Sequence, residues 1–225
     1  MSTPRRRFLG WLGASALAGA AARPLAAAGH GPATPPVPHA AEWDMSWVDR
    51  ITGKHRAVFD SPEVSDGSGL FRALVWRDQY REVYGTDPRD MSMVVVIRHA
   101  AIPLIMNDAY WARFPIGERV EIRDPATREW TKKNPILTTP SGMPPSFAEY
   151  NLPAFLAAGG ILLACDLAFR RPIQDFVNGD KLTPAEARAK AIEHIVPGVI
   201  MQPSGIFAAL RAQEAGCGYI MASEA

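Results

Sequence analysis

The segment Met91-Ser92-Met93-Val94-Val95-Val96-Ile97 constrains this chain more than any other. It is apolar almost throughout and rich in β-branched residues, without the polar alternation of a strand that faces water on one side. Such a run is stable as a strand buried on both faces, so the remaining chain has to supply two covering layers.

The flanking sequence has the right pattern for that. His55–Asp60, Ile161–Cys165, Val199–Met201 and Tyr219–Met221 read as further short strands. Helical patterns lie between them. One runs from Asp66-Gly67-Ser68-Gly69 to about Tyr84, with Leu70, Phe71, Leu74, Val75 and Val83 at three- and four-residue steps, and Thr86-Asp87-Pro88 stops it. Asn107-Asp108 can cap a helix carrying Ala109, Tyr110 and Trp111. Another covers about 147–158, kinked or restarted at Pro153, and one follows from Asp166. Thr183-Pro184-Ala185-Glu186 opens the next, which runs to about His194, and Ser204 opens the last, to Glu214. The crossovers are too long for hairpins. The pattern therefore predicts a three-layer α/β sandwich, with a mostly parallel five-stranded sheet and helices on both faces. Residues 115–146, polar and turn-rich, form a long excursion from that rhythm.

The first 28 residues read as an address rather than as fold. Arg5-Arg6-Arg7-Phe8-Leu9 is a twin-arginine export pattern, followed by a short Gly- and Ala-rich apolar stretch and a small-residue cleavage site at Ala26-Ala27-Ala28. The apolar stretch is shorter than the ~20 residues of a membrane-spanning helix. A periplasmic or secreted protein is the expectation, with no stable membrane span once the signal is removed. Residues 29–50 read as a tether, because Pro32, Pro35, Pro36 and Pro38 suit neither a helix nor a central strand. The domain proper is then 51–225. Loss of residues 1–28 removes four arginines and no acid, turning a net charge of +1 into −3. Neither value suits a nucleic-acid binder.

In a parallel sheet, ligands gather beyond the carboxyl ends of the strands. Asp60, His99 and Cys165 close the first three strands and so fall at one edge. A thiolate is the reactive form of cysteine, and a helix start or an adjoining imidazole favours it. Cys165 lies just before a helix carrying Arg170-Arg171, while Asp166 opposes a second negative charge. A small buried cysteine that merely fills space is the bland alternative. His99 could be a base beside Cys165, a ligand to a metal or haem with Cys165 or Met106, or a histidine bonded to a carbonyl. No second histidine sits at ligand spacing. Cys217 begins a strand parallel to the one Cys165 ends, which argues against a disulfide between them: a five-residue strand is roughly 16 Å long, and a bridge needs Cα atoms within about 7 Å.

The segment Cys165-Asp166-Leu167-Ala168-Phe169-Arg170-Arg171 resembles the cysteine segment of the DsrE/DsrF-like sulfur-relay family. Val196–Gly205 is similar to that family's next strand and serine-glycine turn, and Leu210–Ile220 to its closing helix and strand. The resemblance covers about 54–222 without the loop 115–146. It implies a three-layer α/β fold assembled as a homo-oligomer, and a persulfide carried on Cys165. It also implies small sulfur species or a sulfur-relay protein as partners. Cys165 and His99 would then be the catalytic pair, with Asp60, Asp166, Arg170 and Ser204 lining the site. The alternative is a non-catalytic periplasmic protein of the same fold that binds a small ligand or haem at this edge. The expected export route is testable. Replacing Arg5 and Arg6 together by lysine should hold the precursor in the cytoplasm, as read by immunoblot of cell fractions. Normal export of that variant would count against the signal.

Overall fold

The computed structural model describes residues 43–139 and 148–223. The expected signal peptide and the proline-rich stretch of the tether lie outside them. Five strands form one all-parallel sheet: β1 (His55–Ser61), β2 (Met91–Ile97), β3 (Ile161–Cys165), β4 (Val199–Gln202) and β5 (Gly218–Met221), in the order β4-β3-β2-β1-β5. Helices cover both faces, so the architecture is the three-layer α/β sandwich that the strand–helix rhythm predicts. β2 is the central strand, and all seven of its residues are buried.

The chain steps outward from β1 to β4 through helices packed on one face. Alternate residues of β1, β2 and β3 point there, among them Phe59, Val95, Ile97, Leu162 and Ala164. They meet Leu70, Ala73 and Leu74 of α1 (Ser68–Tyr84), Tyr110 and Trp111 of α2 (Asp108–Arg113), Phe155 of α4 (Leu152–Ala157), Phe169 and Phe176 of α5 (Asp166–Asp180), and Ala187 of α6 (Pro184–Ile192). A single helix, α7 (Gly205–Glu214), then carries the chain back to β5 over the other face. There Ala208 and Ala212 pack on Val58, Val94, Val96, Ile161 and Leu163. Outward steps on one face and a return on the other keep every crossover the same hand.

Local structure departs from the sequence expectation at four places. Residues 46–50, read as tether, form a 3-10 turn, and Trp47 is fully buried against the α7 face. The packed domain thus begins before residue 51. Val83 points outward from α1, and Tyr84 at its end is exposed, packing edge-on to Tyr80. α4 begins at Leu152 rather than near 147, because Asn151 Oδ1 caps the Ala154 N–H and Pro153 sits in the first turn, where no N–H is needed. It is a start and not a kink. α6 stops at Ile192, short of His194, whose ring stacks on Phe176.

A buried amide anchors the excursion, beside the core residues Ile116 and Ile136. After the short α3 (Ile116–Arg119) and a bridge between Arg123 and Trp130, Asn134 turns into the core. Its Nδ2 donates to Leu104 O at 2.7 Å and Met106 O at 2.6 Å, and its Oδ1 accepts from Ile136 N at 3.1 Å. Those two carbonyls belong to the 3-10 segment 99–105 and its cap, which no helix or strand ladder could satisfy. Asn134→Ala would leave both without a donor. Stability should fall by about 2–4 kcal/mol, measured by denaturant unfolding, and a loss below half a kilocalorie would show that water replaces the amide.

Candidate functional site

The ladder registers decide which side chains share the carboxyl edge. Cys165 is in register with Gln202, and β2 pairs with β3 up to Ile97 and Ala164. Arg98 continues β2 in extended conformation (φ −146°, ψ 175°), so it lies beside Cys165 one step further on. In-register residues of parallel strands face the same way. Asp60, Arg98, Cys165, Gln202 and Tyr219 therefore all lie on the α7 face, in line with Val58, Val96 and Leu163.

The strongest interaction there is a buried ion pair. Asp60 is 2% exposed. Arg98 Nε and Nη2 donate to its two carboxylate oxygens at 2.7 and 2.8 Å, and Tyr219 Oη donates to Oδ2 at 2.7 Å. This clamp joins the carboxyl ends of β2 and β1 to Tyr219 of β5. The carboxylate holds the Arg98 guanidinium above its ordinary range. Burial first, and then the bond to Asp60, do the same to the Tyr219 hydroxyl. α7 presses on the stem of Arg98 so closely that a Cβ on Gly205 would lie 2.4 Å from Arg98 Cβ. Ser204, just before it, caps α7 by accepting the Phe207 N–H at 3.1 Å.

Cys165 ends β3 and caps α5, its Sγ accepting the Ala168 N–H at 3.3 Å. It is a free thiol, 5% exposed. Asp166 beside it is paired with Arg188 of α6 at 2.5 Å. Arg170 and Arg171 are exposed on α5. Gln202, fully buried, donates through Nε2 to Asp44 O and Met201 O, while its Oε1 has no hydrogen-bond partner.

Of the residues singled out from the sequence, Asp60 and Cys165 share the face, and Ser204 begins the helix above them. His99 does not join them. It starts the 3-10 segment with φ 51°, and its exposed ring meets Glu63 at 3.3 Å, away from Cys165. Met106 is fully buried in the core, so a His99–Met106 ligand pair is not formed. Sequence reasoning passed over Arg98, Gln202 and Tyr219. Strand parity was the available signal for Arg98, because it continues the Val94–Val96 alternation and His99 does not.

Cys217 lies at the opposite, amino end of β5, and both cysteines are free, as the parallel geometry requires. Burial pushes its thiol up to about 11, against the lowering influence of Arg56. On the outer side of β4, Trp43, Asp44, Asp166, Arg188, Val199, Ile200 and Met201 line an open hollow of about 480 Å³, and Cys165 is not among its walls. Among the described residues, no cluster of His, Cys, Asp and Glu could hold a metal ion, and no helix is long and apolar enough to cross a membrane.

No protein-family model matches the chain, and no curated protein matches it.

The clamp should be structural in its first effect. Arg98→Ala leaves the Asp60 carboxylate buried with one neutral donor. A cost of about 3 kcal/mol is expected for removing one member of such a pair, with Asp60→Asn/Arg98→Ala together costing less than the sum. Additive losses in that double-mutant cycle would show that the two side chains do not act as a pair.

Proposed function

We propose that this protein is an exported sulfur carrier or sulfurtransferase in which Cys165 takes and passes sulfane sulfur. The observation that carries the reading is the position of the thiol. Cys165 is at the carboxyl edge of a parallel sheet, its sulfur capping α5, with Asp166 paired to Arg188. The resemblance of residues 165–171 to the sulfur-relay cysteine segment supports the same residue. In the step proposed, the Cys165 thiolate attacks the terminal sulfur of a polysulfide or hydropersulfide. A Cys165 S–S bond forms, the donor's S–S bond breaks, and the shortened donor leaves as a thiolate. The small exposure of Cys165 favours slim inorganic donors over bulky thiols. His99 has no part in the step, because its ring lies on Glu63 and away from Cys165.

Treatment with polysulfide should raise the intact mass by one sulfur atom per chain. Cys165→Ser should abolish that rise, and Cys217→Ser should leave it unchanged. In native protein at neutral pH, an alkylating reagent should label Cys165 and not Cys217, whose thiol stays protonated until pH approaches about 11. Labelling of Cys165 only after denaturation would make it a packing residue and end this reading. A Soret band in freshly purified protein would point instead to haem binding.

A further inference from the structure

We infer, on the sulfur-transfer reading of Cys165, that Gln202 holds the loaded sulfur in its protonated form. The site is thereby fitted to donors whose terminal sulfur carries a hydrogen, that is, hydropersulfides and hydrogen polysulfides. Gln202 is the fully buried polar side chain of β4, and its Oε1 has no hydrogen-bond partner. A buried amide oxygen left without a donor costs about 1–3 kcal/mol, and it marks a place for one. Gln202 is in register with Cys165 on the neighbouring strand, so the two side chains leave the sheet on the same face.

The amide cannot be turned over. Nε2 donates to Asp44 O and to Met201 O, both at 2.9 Å, which uses both of its hydrogens. The reverse setting would put Oε1 against two carbonyl oxygens, so the free atom is the acceptor. The Cys165 thiol does not supply the missing donor. Its sulfur is held instead by the Ala168 N–H at 3.3 Å. Neighbouring strands lie about 4.8 Å apart, and an S–S bond sets a second sulfur about 2 Å beyond the first. A sulfur added to Cys165 spans part of that interval, and its hydrogen meets Oε1.

The two sulfurs then have opposite partners. Sγ, the attacking atom, receives a hydrogen bond from α5, whereas the transferred sulfur faces an acceptor, which favours S–H and opposes the anion. The charged groups around them are engaged elsewhere. The Arg98 guanidinium, beside Cys165 on β2, is bonded to both oxygens of Asp60. Asp166 is paired with Arg188, and the Asp44 carboxylate accepts from Ser46. Arg170 and Arg171 are exposed to water on α5. In the step this implies, the Cys165 thiolate attacks the hydrogen-bearing sulfur of R–S–SH. The bond from Sγ to that sulfur forms, the donor's S–S bond breaks, and the donor leaves as RS⁻ with the electron pair. The hydrogen stays on the transferred sulfur, and no outside oxidant or reductant is needed. Held as S–H, the loaded sulfur is a weak nucleophile.

Polysulfide-treated protein is weighed first and then titrated through the near-ultraviolet absorption of the persulfide anion. The persulfide of the unsubstituted protein should ionise about fivefold less readily than that of Gln202→Met, whose side chain is of similar length and has no acceptor oxygen. Carbon-13 NMR of protein labelled in its glutamine carboxamides makes the test without a variant. The Gln202 resonance should move when Cys165 is loaded, at a pH below that titration, and return when a reductant strips the sulfur. A mass that rises in neither protein would end the sulfur-transfer reading and this inference with it. A full rise in mass with equal ionisation in the two proteins, or with an unmoved Gln202 carboxamide, would overturn the inference alone.

Discussion

A strand with all seven residues buried cannot lie at a surface, and β2 imposes that condition on the whole molecule. Each face of it exposes a row of apolar side chains that must be covered, at about 1.5–3 kcal/mol per large residue buried. The chain covers the first face on its way outward through α1, α2, α4, α5 and α6. It covers the second with the return helix α7 and with Trp47 from the 3-10 turn before the sheet. The need for a returning layer explains why the segment before residue 51 belongs to the domain. Without Trp47 and Ile51, the α7 face over β2 and β3 would be roofed by one helix of ten residues.

The same layering organises the carboxyl edge. Asp60 comes from a strand whose successor helix lies on one face, but its side chain belongs to the other. There the arriving β5 supplies Tyr219 and the end of β2 supplies Arg98. The carboxylate is thus desolvated by the fold and compensated by two donors from two different strands. A charge buried this way is tolerable only while both donors hold position. The carboxyl ends of β1 and β2 are accordingly coupled to β5, and the start of α7 is coupled to them through the contact of Gly205 with the Arg98 stem.

Much of this was legible in the sequence, and the failures have physical causes. Strand positions, their parallel direction and the free state of both cysteines follow from apolar runs, turn residues and crossover lengths. Helix boundaries at α4 and α6 were less legible because caps compete: Asn151 outranks the earlier residues, and the chain after Ile192 turns to place His194 on Phe176. The docking of the excursion could not be read, since it rests on Asn134 meeting carbonyls some thirty residues earlier in the chain. At the site, residue type pointed to His99, whereas face and register pointed to Arg98. Chemistry suggests which side chains could act, and parity decides which of them meet.

The placement of the two cysteines has a consequence for the covalent history of the chain. Cys165 and Cys217 sit at opposite ends of strands separated by β2 and β1. Neither can reach the other while the sheet is intact, so the fold owes nothing to an oxidant. The native chain keeps the same covalent bonds under reducing and under oxidising conditions. A chain built this way completes its fold before any thiol chemistry, and a change of redox conditions leaves its connectivity as it was.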